Sequence, residues 1–172
     1  GKLYLEVIPL SFGIKIKKGL ELTQCRIVSR DTLPISNEEL SVFHSKYGIL
    51  RSSDGKPLPN SEIKMRDGGL YYNIDLNREI VGFESKSSPT EELDMTQKEN
   101  QDPADFWVPI ERPKNGELVL SPDRFYLLAT EQRTVIPPEL CGEMLPYDVS
   151  SGEFRPHYAG FFDNGFGGEG GT

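Results

Sequence analysis

The chain has 172 residues and a formal net charge of −8. This charge argues against a nucleic-acid-binding surface, because Lys and Arg contacts to phosphates supply most of the affinity of such surfaces. Seventeen glycines and 13 prolines, scattered along the chain, favour a turn-rich β protein over a helical one. The sequence shows no apolar run long enough to span a membrane and no signal-peptide pattern, which predicts a soluble, cytoplasmic protein without a membrane partner.

The N-terminal region is predicted to form strands. Residues 3–8 are apolar around Glu6, and residues 12–17 alternate apolar and basic side chains as a half-buried strand does. A lysine–glycine turn then leads to a third strand at 20–28, which would complete an antiparallel meander. Glu6 is either an outward-facing charge on an edge strand or a functional group. Because the chain starts within a strand and without Met, we expect a fragment of a longer protein.

One helix is predicted over residues 37–47. Ser36 and Glu39 have the spacing of a capping box, and Gly48 follows the last apolar residue of the helical pattern. His44 lies within this helix, and a single helical histidine is expected on the surface or in packing.

Most of the remaining elements are predicted strands. After a loop at 52–60, strands at 70–76 and 80–86 are expected to pair with each other, whereas the polar tract 87–102 has little to bury and is expected to be mobile or weakly helical. Trp107 is expected to anchor a core. Further strands are predicted at 117–120, 124–130, 133–136, 141–147 and 155–162.

Several classes of active site are not expected. Cys25 and Cys141 each lie in an apolar run, which is typical of buried thiols in a reducing compartment. A zinc deaminase would need His-x-Glu and Pro-Cys-x-x-Cys, but the segment from Pro138 to Cys141 carries one cysteine. The P-loop pattern and the Gly-x-Ser-x-Gly pattern of serine hydrolases are also absent from the sequence. No metal site is predicted.

The stretch 155–168 reads Arg-Pro-His-Tyr-Ala-Gly-Phe-Phe-Asp-Asn-Gly-Phe-Gly-Gly. An apolar strand leads directly into a turn, because the Asn and Gly that follow Asp163 tolerate positive φ. Asp163 lies between two phenylalanines, where burial is costly unless a hydrogen bond compensates. It either caps its own turn, which composition favours, or is a carboxylate held at a strand end to bind a ligand hydroxyl.

This stretch resembles the signature of the dCTP deaminase/dUTPase superfamily, in which a Thr-Ala-like pair, an Asp, a turn residue, a Gly and an aromatic line the nucleotide pocket. Residues 124–144 follow the family's strand, Leu-Pro turn and next strand in order and spacing. The resemblance is closest to the long, internally duplicated bacterial dCTP deaminases. It implies a mainly β fold, a dUTPase-like distorted β-barrel with jelly-roll-like strands and one or two short helices. Residues 1–30 would then be the C-terminal strands of a first repeat, 31–64 a helical linker and loop, and 65–172 the N-terminal part of a second repeat.

The resemblance also implies roles for particular residues. Glu6 would be the general acid/base, and a glutamate can perform both steps if burial poises its pKa toward neutrality. Two departures from the family pattern stand out: Tyr158 replaces the usual Thr, and the Arg that follows the Ser150–Ser151 pair comes one place late. The substrate-binding residues would be Asp163 on the sugar, Tyr158 and Ala159 at the base and water, Arg155 on phosphate, and the strand residue Gln24.

The implied activity is hydrolytic deamination of dCTP to dUTP and ammonia, with water activated without a metal. No cofactor would be bound by the protein, and Mg²⁺ would accompany the triphosphate. The family suggests a homo-oligomer, trimeric or pseudo-trimeric. Two alternatives stay open: a dUTP diphosphatase or bifunctional dCTP deaminase/dUTPase, and a non-catalytic repeat that binds nucleotide or serves assembly.

Overall fold

The computed structural model describes residues 1–9, 11–23, 29, 34–87, 89, 91–97, 99–145 and 160–168. Contacts divide the chain into two compact units, the first comprising residues 1–30 and 74–129 and the second residues 31–73 and 130–172. Each unit is therefore built from segments that are distant in sequence. The three predicted segments concern repeats rather than contacts, and they stay a prediction.

The regular elements of the described residues are mainly strands, with one α-helix, α1 (Asn37–Tyr47), as predicted. Their strands pair into small sheets that do not close into a barrel within the described ranges. None of the helices in these ranges is long and apolar enough to cross a membrane. The strands are β1 (Ile14–Lys15), β2 (Leu50–Arg51), β3 (Met65–Arg66), β4 (Gly69–Leu70), β5 (Ile80–Ser85), β6 (Leu93–Asp94), β7 (Trp107–Glu111), β8 (Tyr126–Leu128), β9 (Arg133–Thr134), β10 (Gly142–Glu143) and β11 (Phe161–Phe162), and 3₁₀ turns lie at Asn60–Glu62 and Pro103–Asp105.

The first unit is built on an antiparallel sheet with strand order β7-β5-β8. Val81 of the central strand is buried, and so is Phe106 next to the sheet. Trp107 packs edge-on against Phe12 and Phe125, with ring centroids 5.7 and 5.9 Å away. Aromatic pairs in this geometry contribute beyond the area they bury. Trp107 is thus a half-buried member of an aromatic core, in line with the prediction.

The predicted N-terminal meander is wrong. Residues 1–9 have no regular structure, and Leu3 and Tyr4 expose 96% and 90% of their surface. Strand β1 covers two of the residues predicted at 12–17, and it pairs in parallel with β6. An apolar pattern makes a strand only where a second strand supplies hydrogen bonds to its backbone, and the described structure supplies none to residues 3–8. Residues 20–23 are not a strand, and 24–28 lie outside the described residues.

The middle strands were predicted in part. Residues 80–86 correspond to β5, but the predicted partner at 70–76 contributes only Leu70 to a strand, and β4 pairs with β3 instead. The partners of β5 are β7 and β8, because these strands cover both of its edges. Residues 117–120 are not a strand. Within the described residues, which stop at 145 in this region, the predicted strands at 124–130, 133–136 and 141–147 are shortened to β8, β9 and β10. The tract 87–102 carries β6 and turns rather than a helix in its described part.

Helix α1, in the second unit, begins and ends where the sequence predicts. The Ser36 hydroxyl accepts from the Glu39 amide at 3.2 Å, and the Ser36 amide donates to the Glu39 carboxylate at 2.9 Å. These bonds, first among them the one from the Ser36 backbone, lower the pKa of Glu39. Gly48 ends the helix in the left-handed conformation, and its amide bonds to the carbonyl of His44.

His44 is buried between α1 and the segments that follow it. Its Nδ1 accepts from the Leu50 amide at 3.2 Å, and its Nε2 lies 2.6 Å from the Leu58 carbonyl oxygen. Because Nδ1 is an acceptor, the ring proton belongs on Nε2, which donates to Leu58. The neutral imidazole therefore joins the helix to β2 and to the loop after it. Next to it, Ile49 and Leu50 are buried, and β2 pairs with β9.

Asp94 is a buried carboxylate in the first unit, at the end of β6. It accepts from the Thr96 hydroxyl at 2.6 Å and the Thr96 amide at 2.9 Å, and it pairs with Lys15 at 3.0 Å. Together these contacts hold the pKa of Asp94 well below its usual range, and the hydrogen bond from the Thr96 hydroxyl contributes most to this lowering.

We expect Asp94 to make the stability of this unit depend on acid pH. A carboxylate whose folded-state pKa is depressed stabilises the fold above the unfolded-state value of about 3.9, and this stabilisation is lost as the pH falls toward the folded-state pKa. Urea denaturation followed by the fluorescence of Trp107, the one tryptophan, should show a smaller loss between about pH 6 and pH 3 in Asp94→Asn than in the wild type. Asp123→Asn, on an exposed turn, is the control. An equal loss in wild type and Asp94→Asn would contradict the assignment.

Candidate nucleotide site

The candidate site is built on a short antiparallel pair in the second unit. Gly142 lies opposite Phe162 and Glu143 opposite Phe161, and the Met144 amide extends the ladder by donating to the Gly160 carbonyl at 2.7 Å. An added Cβ at Gly142 would lie 3.2 Å from the Phe162 ring, so glycine lets the ring lie close against the neighbouring strand. The pair ends at Phe162, and the next residue is Asp163. Asp163 therefore lies directly after a strand, and its role in binding stays a prediction.

A tight turn follows the strand. The Phe166 amide donates to the Asp163 carbonyl at 3.0 Å, and Gly165 has a φ of 82°. A positive φ at the third residue is the mark of a type II turn, and glycine adopts it without steric cost. The rings of Phe162 and Phe166 meet across the turn with centroids 5.0 Å apart and planes at 68°. Backbone and aromatic contacts thus close the turn together.

The Asp163 carboxylate is exposed at this turn. Within the described ranges it neither caps its own turn nor pairs with a cation. The turn is closed instead by the backbone and aromatic contacts. The side-chain cap that composition favours is therefore not observed there. An exposed carboxylate offers two acceptor oxygens, which is the chemistry needed to hold a ligand hydroxyl.

Two contacts dock the Asp163 turn onto the segment after β9. The Ile136 amide donates to the Phe166 carbonyl at 2.8 Å, and the Asn164 side-chain amide donates to the Pro138 carbonyl at 2.9 Å. Ile136 is buried, so the first contact anchors the turn to the interior of the unit. The sequence indicates the turn at Asn164, but it carries no signal for the partner at Pro138.

The Pro138 segment is in turn bound to helix α1. The Tyr47 hydroxyl donates a hydrogen bond to the Glu139 carboxylate, and the Lys46 ammonium lies 3.8 Å from the same carboxylate. The pKa of Glu139 is lowered, first by the Tyr47 hydrogen bond. Neither contact was predicted, because residues 47 and 139 are far apart in sequence.

The other predicted site residues are placed as follows. Glu6 is exposed within residues 1–9, in the first unit, whereas Asp163 belongs to the second. The burial that would poise a catalytic glutamate is thus not present around Glu6 in the described structure. Cys141 is exposed, which corrects the prediction of a buried thiol, because it precedes the two-residue strand β10 at the surface. Gln24, Cys25, Arg155, Tyr158 and Ala159 lie outside the described residues.

The first unit holds a cavity of about 500 Å³ next to Asp94, lined mainly by acidic and amide side chains from residues 91–105 and by Lys15. The Asp94 carboxylate in its wall is already satisfied by Thr96 and Lys15. Across the part of the chain that the structure describes, no three His, Cys, Asp or Glu side chains are grouped to hold a metal ion.

A family model described as 2'-deoxycytidine 5'-triphosphate deaminase (DCD), C-terminal domain, matches residues 36–172. The chain belongs to this family. The match begins at the N-cap of helix α1 and includes β10, β11 and the Asp163 turn, whereas Glu6 lies before it.

Among solved structures, the chain is similar to the 2'-deoxycytidine 5'-triphosphate deaminase of Agrobacterium tumefaciens, with 34% identity and a TM-score of 0.63. The alignment covers 77% of this chain and 37% of that one, so the chain spans little more than a third of that relative's length. No curated protein matches the chain. The DCD family predicted from residues 155–168 and its dUTPase-like β fold are thereby confirmed.

Proposed function

We propose that the protein containing this chain is a dCTP deaminase, in which water adds at C4 of the cytosine, ammonia leaves, and dCTP becomes dUTP. The DCD family match across residues 36–172 carries the proposal, and the exposed carboxylate of Asp163 at a strand end supports it. One glutamate can remove a proton from the attacking water and then deliver one to the departing ammonia.

In this proposal Asp163 accepts a hydrogen bond from a sugar hydroxyl, and Glu6 is the general acid/base. The family resemblance assigns Tyr158 and Ala159 to the base and water, Arg155 to phosphate, and Gln24 to substrate binding. The protein binds no cofactor of its own, and Mg²⁺ arrives with the triphosphate. The bound Mg²⁺ offsets part of the negative charge of the nucleotide. It therefore lowers the electrostatic repulsion between the nucleotide and a chain of net charge −8. The enzyme would work in the cytoplasm as a trimer or pseudo-trimer.

The proposal is tested on the full-length gene product with Mg²⁺ and, in separate assays, dCTP or dUTP as substrate. Ammonia and dUTP in equal amounts are the expected products from dCTP, and no pyrophosphate is expected from dUTP. Pyrophosphate and dUMP in addition to ammonia would identify a bifunctional dCTP deaminase/dUTPase, and pyrophosphate from dUTP without ammonia a dUTP diphosphatase. If neither ammonia nor pyrophosphate appears, the enzyme assignment is wrong.

Asp163→Asn should raise the KM for dCTP about tenfold or more and change kcat much less. A hydrogen bond to a charged group contributes roughly 1.5–3 kcal/mol, and a sugar contact is held equally in the substrate and transition-state complexes. Steady-state kinetics of the full-length product measure both constants. Asp123→Asn, which alters an exposed carboxylate in the other unit, should leave KM unchanged. A KM for Asp163→Asn equal to the wild-type value would remove Asp163 from the binding site.

A second candidate is a non-catalytic repeat that binds nucleotide or serves assembly. The Arg that follows Ser150 and Ser151 stands one place late relative to the family motif, which favours this alternative for the repeat that contains Asp163. Equilibrium binding separates the two. A full-length product that binds dCTP but releases no ammonia would support the non-catalytic repeat.

A further inference from the structure

We propose that Asn164 is a positioning residue that holds Asp163 in place through the turn at residues 137–140, which helix α1 supports from its C-terminal end. The proposal rests on the assignment of Asp163 to nucleotide binding. It adds two residues, Asn164 and Tyr47, whose side chains act on the site without touching the nucleotide.

The first contact is the hydrogen bond from Asn164 to Pro138. The amide nitrogen lies 2.9 Å from the Pro138 carbonyl oxygen. That carbonyl belongs to a turn closed by the Leu140 amide, which donates to the Pro137 carbonyl at 3.0 Å. Pro137, the first residue of the turn, is buried, and both it and Pro138 have a fixed φ. The carbonyl that accepts from Asn164 therefore lies on a conformationally restricted backbone.

The second contact supports the same turn from helix α1. Tyr47, the last residue of the helix, donates to Glu139, which directly follows Pro138. The end of the helix is itself fixed, because Arg51 donates to the carbonyl oxygens of Tyr47 and Gly48 at 3.3 and 3.0 Å. The turn at 137–140 therefore lies between two attachments, one to the helix and one to the residue next to Asp163.

Asp163 needs such support because its carboxylate is exposed and has no described partner that orients it. The direction of the side chain depends on the backbone of the turn, and any freedom of that backbone must be lost when a ligand binds. Holding the turn in advance lowers this entropic cost and tightens binding.

The structure offers a variant that separates the attachment from the turn itself. Asn164 is the second residue of a type II turn, and proline is common at this position. Asn164→Pro retains the turn and removes the amide donor, whereas Asn164→Ala removes the donor and leaves the turn less restrained. If the attachment to Pro138 matters, both variants weaken binding. If turn conformation alone matters, the proline variant binds as the wild type does.

The experiment measures KM and kcat for dCTP in the full-length product, together with hydrogen exchange of the Phe166 amide, which reports opening of the turn. We expect a KM about fivefold higher in Asn164→Ala and Asn164→Pro, as for the loss of one hydrogen bond, with kcat within about twofold of wild type. Tyr47→Phe should raise KM in the same direction. Combined with Asn164→Ala it should give less than the product of the two effects, because both act on one turn. Phe166 exchange should be faster in Asn164→Ala and in Tyr47→Phe.

Asn115→Ala is the matched control, since Asn115 lies on an exposed turn of the other unit and its amide contacts only Glu117 among the described residues. A wild-type KM in Asn164→Pro would overturn the positioning role. Hydrogen exchange of the Phe166 amide at the wild-type rate in Asn164→Ala and Tyr47→Phe would overturn it as well. The failure of the proposed function is distinguishable, because a wild-type product that releases no ammonia contradicts the deaminase assignment. In that case the exchange measurement still decides whether Asn164 and Tyr47 hold the turn.

Discussion

Replacing Glu6 by Gln is expected to lower ammonia release from dCTP by about a hundredfold or more in the full-length product, with dCTP binding retained. A positioned general acid/base contributes roughly 10²–10⁴ to a rate, and the amide of Gln neither takes a proton from water nor gives one to ammonia. Gln has nearly the size of Glu, so the loss would reflect proton transfer rather than shape. Single-turnover ammonia release and equilibrium binding of dCTP measure the two quantities separately.

The control for this variant is Glu21→Gln, another exposed glutamate of the first unit. It should leave ammonia release unchanged. If Glu6→Gln and wild type release ammonia at the same rate, Glu6 is not part of the working site and the catalytic glutamate belongs to another repeat. Equal loss in Glu6→Gln and Glu21→Gln would instead indicate a general effect of charge.

Gly82→Ala should destabilise the first unit by an amount at the upper end of about 1–3 kcal/mol, the usual range for overpacking. Gly82 is buried in β5, the central strand of the sheet, and an added Cβ would lie 2.3 Å from the Leu127 carbonyl oxygen and 2.6 Å from Leu128 Cδ2. The first of these atoms is backbone of β8, so the collision cannot be relieved by turning a side chain. Urea denaturation followed by Trp107 fluorescence measures the change, because Trp107 begins β7 in the same sheet.

Gly13→Ala is the matched control in the same unit. A Cβ at this position would lie 3.4 Å from Glu92 Cγ, an ordinary contact with a flexible side chain. Its unfolding midpoint should stay close to that of the wild type. A midpoint for Gly82→Ala that matches Gly13→Ala would show that β8 moves aside at little cost, and the close approach of the two strands would then not limit stability.

Helix α1 could be predicted from the sequence to the residue, and the strand partners could not. The capping box joins Ser36 and Glu39, which are three residues apart, so the information is local. The pairing of β1 with β6, or of β5 with β7 and β8, depends on which of many apolar segments meet in space. Neighbouring segments such as 70–76 and 80–86 therefore looked like partners without being so.

In the candidate site, too, local features could be predicted from the sequence and long-range contacts could not. Adjacent residues predict the Asp163 turn, and Gly165 determines the turn type. The attachments that hold it, from Asn164 to Pro138 and from Tyr47 to Glu139, join distant residues and have no sequence signal. The sequence likewise gives no sign that both ring nitrogens of His44 form hydrogen bonds, one with Leu50 and one with Leu58.

The exposed residues 3–8 have a consequence for the colloidal behaviour of this chain. Their exposed apolar side chains favour association between molecules of this chain. The net charge of −8 opposes this association, because the molecules repel each other electrostatically. Salt screens that repulsion over a Debye length of about 8 Å at physiological ionic strength, and it leaves apolar attraction intact. Self-association of the isolated chain therefore strengthens as salt is added, which is the reverse of what contacts between opposite charges would produce.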